Sequence, residues 1–589
     1  MCETTPARMP RSTVAQLHLT ETSLTSSVLS YAILLGGLLT IAVTLYMVVT
    51  SYTSLPFWDG WGEVQLAANG GSLVSPNWLW QLHNEHPIVI PKLFLAADVR
   101  LFRARQAFLL ASVLVIQFIH VLLLSWSMRV LGGWRGTLWR TGAGLSAFCL
   151  FCPSQYENFV WGFQVAWILA QLFATLSLIG LVLYWTGSQE QLYKQRSLKY
   201  LVVSILAALA AAHCLANGNL LWPILVAVSI YLRLPLRAVL SYAIAGVVSI
   251  ALYLHHYVPP ETHSNPVASL AAPLELLRYV STYFFSSWPY YDTTQERLII
   301  RLGVLLLLFP AFSRFRGLRP LTVQLVLTML YCVGTALITA AGRLNFGIGS
   351  AAHSRYQTVA LLFWCSLGLL WLEGAFLANP RIRRSFLIAQ FCLLAIFVEG
   401  AARAKYPIRA TRSLAFARKA ASAALVTGVF DPMSLKEVYF NMELLPKMAA
   451  YMRANRLSVF SDNLALNVGK PLDFVFPLTD SNGCSGAVES VVRVDNSYGS
   501  GLRVMGWASD RRRQRLPSSI VVTTNGMIVG LGAAGNWGPY MRNGSPGLLS
   551  RYDGFVAYAP ELPRGSTLSF YAILRRSPPT ACYIDRIVK

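Results

Sequence analysis

Six acidic or histidine side chains and three arginines crowd one stretch of the sequence, residues 57–105. They are Asp59, Glu63, His83, Glu85, His86 and Asp98, followed by Arg100, Arg103 and Arg105, in a chain of which only 13% is charged. Asp59 stands in FWDGW, between aromatic rings. A carboxylate in that setting can have its pKa raised by desolvation, or can hold a divalent ion. Either state suits a group that removes a proton from a hydroxyl. The plainer role is a loop aspartate capping a helix from Gly60, with Glu63 completing the cap. The sequence leaves both open.

His83, Glu85 and His86 form a second dense patch, HNEHPIVIPK, in which Pro87 and Pro91 break regular structure and mark a turn that aims side chains. The spacing is not that of a HExxH zinc site. It leaves a proton relay, a single labile metal, or solvated histidines. Arg343, His353, Arg355 and Tyr356 make a third group. Arginine there matches phosphate geometry through paired N–H donors, or reaches toward lipid headgroups. Glu157, His213, Asn217 and Asn219 are weaker candidates, for lining a cavity or capping short helices.

The elements that must position these residues are apolar. Hydrophobic residues make up 55% of the 589 and the mean hydropathy is +0.49. Many windows approach the ~20 residues that cross a bilayer. Eleven spans are expected, over about 29–51, 107–128, 141–153, 163–186, 200–214, 218–232, 238–257, 298–312, 321–341, 356–377 and 385–402. An interfacial helix is expected near 274–288. The net charge of +23 does not signal nucleic acid, because the basic residues sit in short loops between spans, as the positive-inside rule requires. With residues 1–27 placed in the cytoplasm, the inner segments carry 16 Lys and Arg and the outer loops nine. Of twelve acidic residues between 28 and 402, ten then fall outside. The first outer loop, 52–106, is where carboxylates and extra arginines coincide.

Beyond the membrane part (28–402), residues 403–469 read as a basic helical connector. Residues 470–589 change to short β-rich runs separated by turn residues, with Asn525-Gly526 as a hairpin signal. An extracytoplasmic β-sandwich of jelly-roll type is expected. Cys484 and Cys582, near its two ends, would close a disulfide in an oxidising compartment. Cys149 and Cys152 form a CxxC inside an apolar run and read as packing residues.

The layout resembles the GT-C superfamily of polyprenyl-phosphate-sugar-dependent glycosyltransferases. The likeness rests on an inner-to-outer first span, FWDGW early in a long first outer loop, EHPIVIPKLF before the second span, a short third span, the SRY loop at 354–356 and a soluble C-terminal domain. The second motif departs from the HPPL-type turn of several members, and the first loop has no tandem acidic pair. The resemblance implies inverting transfer of a sugar from a lipid-phosphate donor to a glycan, lipid or protein acceptor. The reaction would take place on the outer face of a bacterial-type inner membrane. Asp59 would be general base or metal ligand, with Glu63 and Glu85 beside it. Arg355 and Arg343 would hold the donor phosphate, with His86, Glu157, His353 and Tyr356 completing the site. No cofactor beyond a divalent cation is implied. The competing classes are a flippase of lipid-linked sugars and an O-antigen-type polymerase.

Overall fold

A computed structural model describes residues 24–588, apart from Glu85 and stretches 189–193, 256, 258–268, 270, 287–318, 378–382, 480–482, 514 and 537–553. Within these, seven helices are long and apolar enough to cross a membrane. The first is α1, Leu24–Ser51. The first loop then folds into three short helices, α2 (Gly62–Ala68), α3 (Pro76–Trp80) and α4 (Val89–Leu101), before α5, Ala107–Val130. Next come α6 (Gly136–Leu150), α7 (Tyr156–Val160), α8 (Val165–Ser188), α9 (Lys194–Ala212), α10 (Leu221–Tyr231) and α11 (Leu236–Leu254). The helix expected near 274–288 is α12 (Pro273–Phe285), which precedes α13 (Pro320–Arg343), α14 (Gln357–Leu377), α15 (Arg383–Arg403) and α16 (Lys405–Thr427).

Seven of the eleven expected spans match these long helices. The expected third, fifth and sixth fall on shorter ones, α6 with 15 residues and the apolar stretches Ser197–Ala212 and Ala216–Tyr231. At 1.5 Å per residue these apolar stretches reach ~22–24 Å, against a ~30 Å hydrocarbon core, although α9 as a whole has 19 residues. The three differ in surroundings: α9 and α10 expose apolar residues such as Leu198, Leu206 and Ile230, whereas α6 is enclosed. Residues 141–150 of α6 are buried almost throughout, pressed so closely on α1 that a Cβ on Gly144 would meet the Ile33 carbonyl at 2.5 Å. Small residues permit that approach. The expected eighth span lies outside the described residues.

The helix of the last expected span continues past 402. Residues 385–427 form one helical run of 43 residues, roughly 65 Å long, apolar in its first part and basic along α16. It runs beside α1 in the same direction. Gln390 accepts from Ser26 Oγ at 2.8 Å, and Arg412 Nη2 donates to Tyr46 OH at 3.4 Å. Its far end packs on the C-terminal sheet against β5 (Met527–Asn536) and β6 (Gly554–Pro560).

That sheet is the second correction. Instead of two stacked layers, eight strands form one sheet in the order β1-β8-β7-β4-β5-β6-β3-β2. They begin with β1 (Leu478–Thr479), β2 (Cys484–Asn496), β3 (Gly499–Asp510) and β4 (Ser519–Thr524) and end with β7 (Thr567–Leu574) and β8 (Thr580–Val588). The sheet curls until its ends meet. The backbone N–H of Val488 on β2 donates to Asp585 on β8 at 2.9 Å. The expected disulfide joins Cys484 on β2 to Cys582 on β8. Alternating patterns look alike in a sandwich and in a curled sheet, since both bury one face of each strand.

A second hydrophobic core unites the first loop, the connector and the sheet. It includes Phe57, Trp61, Leu95, Trp161, Leu425, Met448, Phe460 and Tyr558. Asp431, buried in the connector, takes Arg503 of β3 at 2.9 Å and Tyr558 OH of β6 at 2.8 Å. The first loop is therefore the base of a folded body standing on one end of the bundle.

Candidate functional site

The first loop is built before it is functional. Its two ends are tied together. Tyr52 OH donates to the Arg105 carbonyl at 2.8 Å, and Asp462 of the connector accepts from Ser54 Oγ at 2.5 Å and Arg105 Nη2 at 2.9 Å. Between α4 and α5 the chain turns through Arg103, Ala104 and Gln106, all with φ between +54° and +64°. Such left-handed backbone is costly for non-glycine residues and persists only where neighbours impose it. Asp98 imposes it. One carboxylate oxygen accepts from the Gln106 backbone N–H at 3.2 Å and from its side chain at 3.3 Å, while its own carbonyl takes Phe102 and Ala104 N–H. Its other oxygen is buried without a partner, and burial raises the carboxyl pKa to about 7.

Asp59 lies in a single 3₁₀ turn, Trp58–Trp61, and Glu63 in the first turn of α2. Neither element has a side-chain cap, so the capping role is not the one these carboxylates fill. They differ sharply in environment. The Asp59 side chain is 38% exposed and sits 3.6 Å from His83 Nε2. Glu63 is buried, and desolvation pushes its carboxyl above the usual range against the pull of His83. Thus burial falls on Glu63 rather than Asp59, reversing the expectation from the flanking aromatics. The reason is local: Trp58 turns outward at φ +46° and takes Asp59 with it.

His83 and His86 bracket the second motif. Their backbones bond to each other in both directions, at 2.9 and 3.0 Å, around Asn84 at φ +51°. The His83 ring rests on Phe163, with centroids 4.6 Å apart, and faces Asp59. His86 turns elsewhere, its Nδ1 2.8 Å from Tyr253 OH. Glu85 lies outside the described residues. Pro91 does not break structure as expected, because it falls in the first turn of α4, where a missing N–H costs nothing.

The third motif forms a separate group beside α7. The Glu157 carboxylate accepts the Arg355 backbone N–H at 3.0 Å, and Ser354 Oγ accepts the Glu157 backbone N–H at 3.2 Å. Arg355 Nη2 lies 3.3 Å from His353 Nδ1, and its guanidinium lies over the Tyr356 ring at 5.3 Å. Burial and the Arg355 charge lower the His353 pKa. Arg343 ends α13 near Phe346 and acts electrostatically on His353. Residues 156–164 join the groups: Glu157 touches Arg355 at one end, and Phe163 touches His83 at the other.

A cavity of about 330 Å³ opens beside the third group. Phe148, Leu361 and Ile396 form an apolar wall, and Glu157, His353, Ser354, Glu399, Arg403 and Tyr406 a polar rim. Glu399 and Arg403 pair one helical turn apart on α15.

His213, Asn217 and Asn219 belong to neither group. His213 Nδ1 bonds the Leu209 carbonyl at 2.8 Å, Asn217 donates to Thr335 at 3.4 Å, and Asn219 accepts from Ser249 at 3.2 Å. They fasten the turn between α9 and α10. Two cations that the motifs missed are structural. Lys92 donates to the carbonyls of Trp78 at 2.6 Å and of Gln81, closing the C-terminus of α3, and burial lowers its pKa to about 8. Arg418 of α16 is fully buried and donates to the Leu55 carbonyl at 2.7 Å and the Val160 carbonyl at 2.9 Å. A signal for it did exist: Ala415, Ala421 and Leu425 line the same face of α16 and leave room for the long side chain.

Among the described residues no three His, Cys, Asp or Glu side chains gather as a metal-binding set, so Asp59 meets only His83 as a nearby ligand type. No protein-family profile, curated protein or solved structure matches the chain.

Proposed function

We propose that the protein is a membrane glycosyltransferase of GT-C type. It moves a sugar from a polyprenyl-phosphate donor to a glycan, lipid or protein acceptor on the extracytoplasmic face of a bacterial-type inner membrane. The observation that carries the reading is the cavity beside the third group. An apolar wall at bundle level meets a polar rim on the side of the folded body, the two-part chemistry of a lipid phosphate. Arg355 lies behind that rim, in contact with His353, and residues 156–164 lead from it to His83, the neighbour of Asp59.

In this mechanism the prenyl chain lies along Phe148, Leu361 and Ile396, and Arg355, with Arg343 behind it, holds the phosphate. Asp59 removes the proton from an acceptor hydroxyl, whose oxygen attacks the anomeric carbon from the face opposite the phosphate. The sugar–phosphate C–O bond breaks, its electron pair stays on the polyprenyl phosphate, and the anomeric centre inverts. His83 orients Asp59 and bears part of the charge change. The chain itself supplies base and phosphate clamp, and no step is routed through a divalent ion, for which the described residues around Asp59 do not form a ligand set. On this reading the remaining crossings expected from the sequence, 298–312 among them, complete the membrane part, and residues 470–589 stand outside it.

The test is a transfer assay with purified protein and a polyprenyl-phosphate-sugar donor. Arg355→Ala is expected to raise the donor KM about tenfold or more, the loss of one charge-assisted phosphate contact. Movement of intact lipid-linked sugar across proteoliposomes without transfer would instead assign a flippase.

A further inference from the structure

Three of the aromatic residues around Asp59 do what aromatic residues usually do. Phe57, Trp61 and Tyr439 are buried in the second core. Trp58 does the opposite. Its backbone is held left-handed at φ +46° by an N–H bond to the Val438 carbonyl at 2.9 Å, a conformation a bulky residue adopts only at a cost. The indole stacks on Phe440, with centroids 6.5 Å apart and planes 27° apart. Both rings nevertheless stay open, 41% and 66% exposed. Next to Trp58 in the chain stands the partly exposed Asp59 carboxylate, with His83 Nε2, itself buried, 3.6 Å from it.

A ligand that fits must carry a flat apolar face and, at its edge, groups that both donate and accept hydrogen bonds. A sugar ring has that chemistry: C–H bonds on one face and hydroxyls around the rim. We infer that Trp58 and Phe440 form the stacking platform of a carbohydrate subsite, with the hydroxyl-bearing edge of the ring directed at Asp59. The inference rests on the proposed function for one step only, namely that the bound ring is the acceptor. Its hydroxyl then lies against the carboxylate that takes its proton. The alternative occupant is the lipid surface, with the two rings as interfacial anchors. Against it, both rings belong to the folded body: Trp58 is bonded to the connector, and Phe440 is part of it.

The experiment uses the full chain in lipid nanodiscs free of sugar-headed detergent. Binding of a panel of short hexose and pentose oligosaccharides is measured by ligand-observed NMR and titration. Wild type is expected to bind at least one member, Trp58→Ala and Phe440→Ala about tenfold more weakly, and Trp58→Phe nearly as well as wild type. Asp59→Asn is expected to keep binding. Absence of binding by every member, or equal binding by the alanine variants, would overturn the platform. So would a variant that changes only the affinity of the protein for lipid vesicles. Trp58-dependent binding without any transfer would leave the subsite standing and sink the glycosyltransferase reading. Transfer with an unchanged acceptor KM in Trp58→Ala would do the reverse.

Discussion

Asp98 and Glu63 show how differently carboxylates fare within one loop. Asp98 holds a left-handed turn together while one of its oxygens has no partner, and its folded pKa of about 7 lies far above the ordinary 3.8. The sign follows directly. Between those values the folded state keeps a proton that the unfolded state has lost, so stability falls as pH rises from about 4 to about 7. Below that window the contribution is fully present, and above it fully lost. Raised in the same direction, Glu63 adds to the slope. Asp98→Asn, which keeps an acceptor for Gln106, is expected to flatten the dependence and to raise the melting temperature at pH 8. Thermal unfolding across pH 4–8 checks this, and an unchanged slope would place the titration elsewhere. From the sequence, Asp98 was visible only as one charge among several. What set its role was the turn after α4, whose left-handed residues carry no glycine to announce it.

At the scale of elements, Arg418 joins α16 to the first loop and to α7, the segment that leads from Asp59 to Arg355. Removing it leaves two buried carbonyls unsatisfied. Arg418→Met is expected to cost about 2–5 kcal/mol, and Arg418→Lys nearly as much, because one ammonium cannot reproduce a planar fork. The readout is chemical or thermal unfolding in detergent, and a loss below 1 kcal/mol would mean water replaces the guanidinium. The disulfide acts on the other large element. It closes a 98-residue separation between the two ends of the curled sheet, so paired Cys484→Ser and Cys582→Ser changes are expected to destabilise that region by about 4–5 kcal/mol. Reductant should reproduce the effect in wild type and leave the double variant unmoved. The cysteine pairing was legible because only two cysteines fall in the β-rich region. The curl was not, since register and strand order depend on contacts far apart in sequence.

At the scale of the whole molecule, the apolar pattern made the membrane part plain, and seven of the expected spans are helices long enough to cross, while α6, α9 and α10 carry shorter apolar stretches, of which only α6, over residues 141–150, is buried throughout. The charged island of the first loop was legible as a place where chemistry could occur. Its division was not: His83 goes to Asp59, His86 to Tyr253, and Glu157 to Arg355, the last two across 167 and 198 residues. The long helix of residues 385–427 sets this arrangement, since it lines the cavity near Arg403 and grips the first loop through Arg418. Apolar helix, cavity wall and folded body thus share one rod. The central claim is that Asp59 takes the proton when a sugar leaves its lipid phosphate. Its most direct test is the single-turnover transfer rate of Asp59→Asn with donor already bound. The account predicts a fall of ~100-fold or more with donor affinity unchanged; a rate equal to wild type would contradict it.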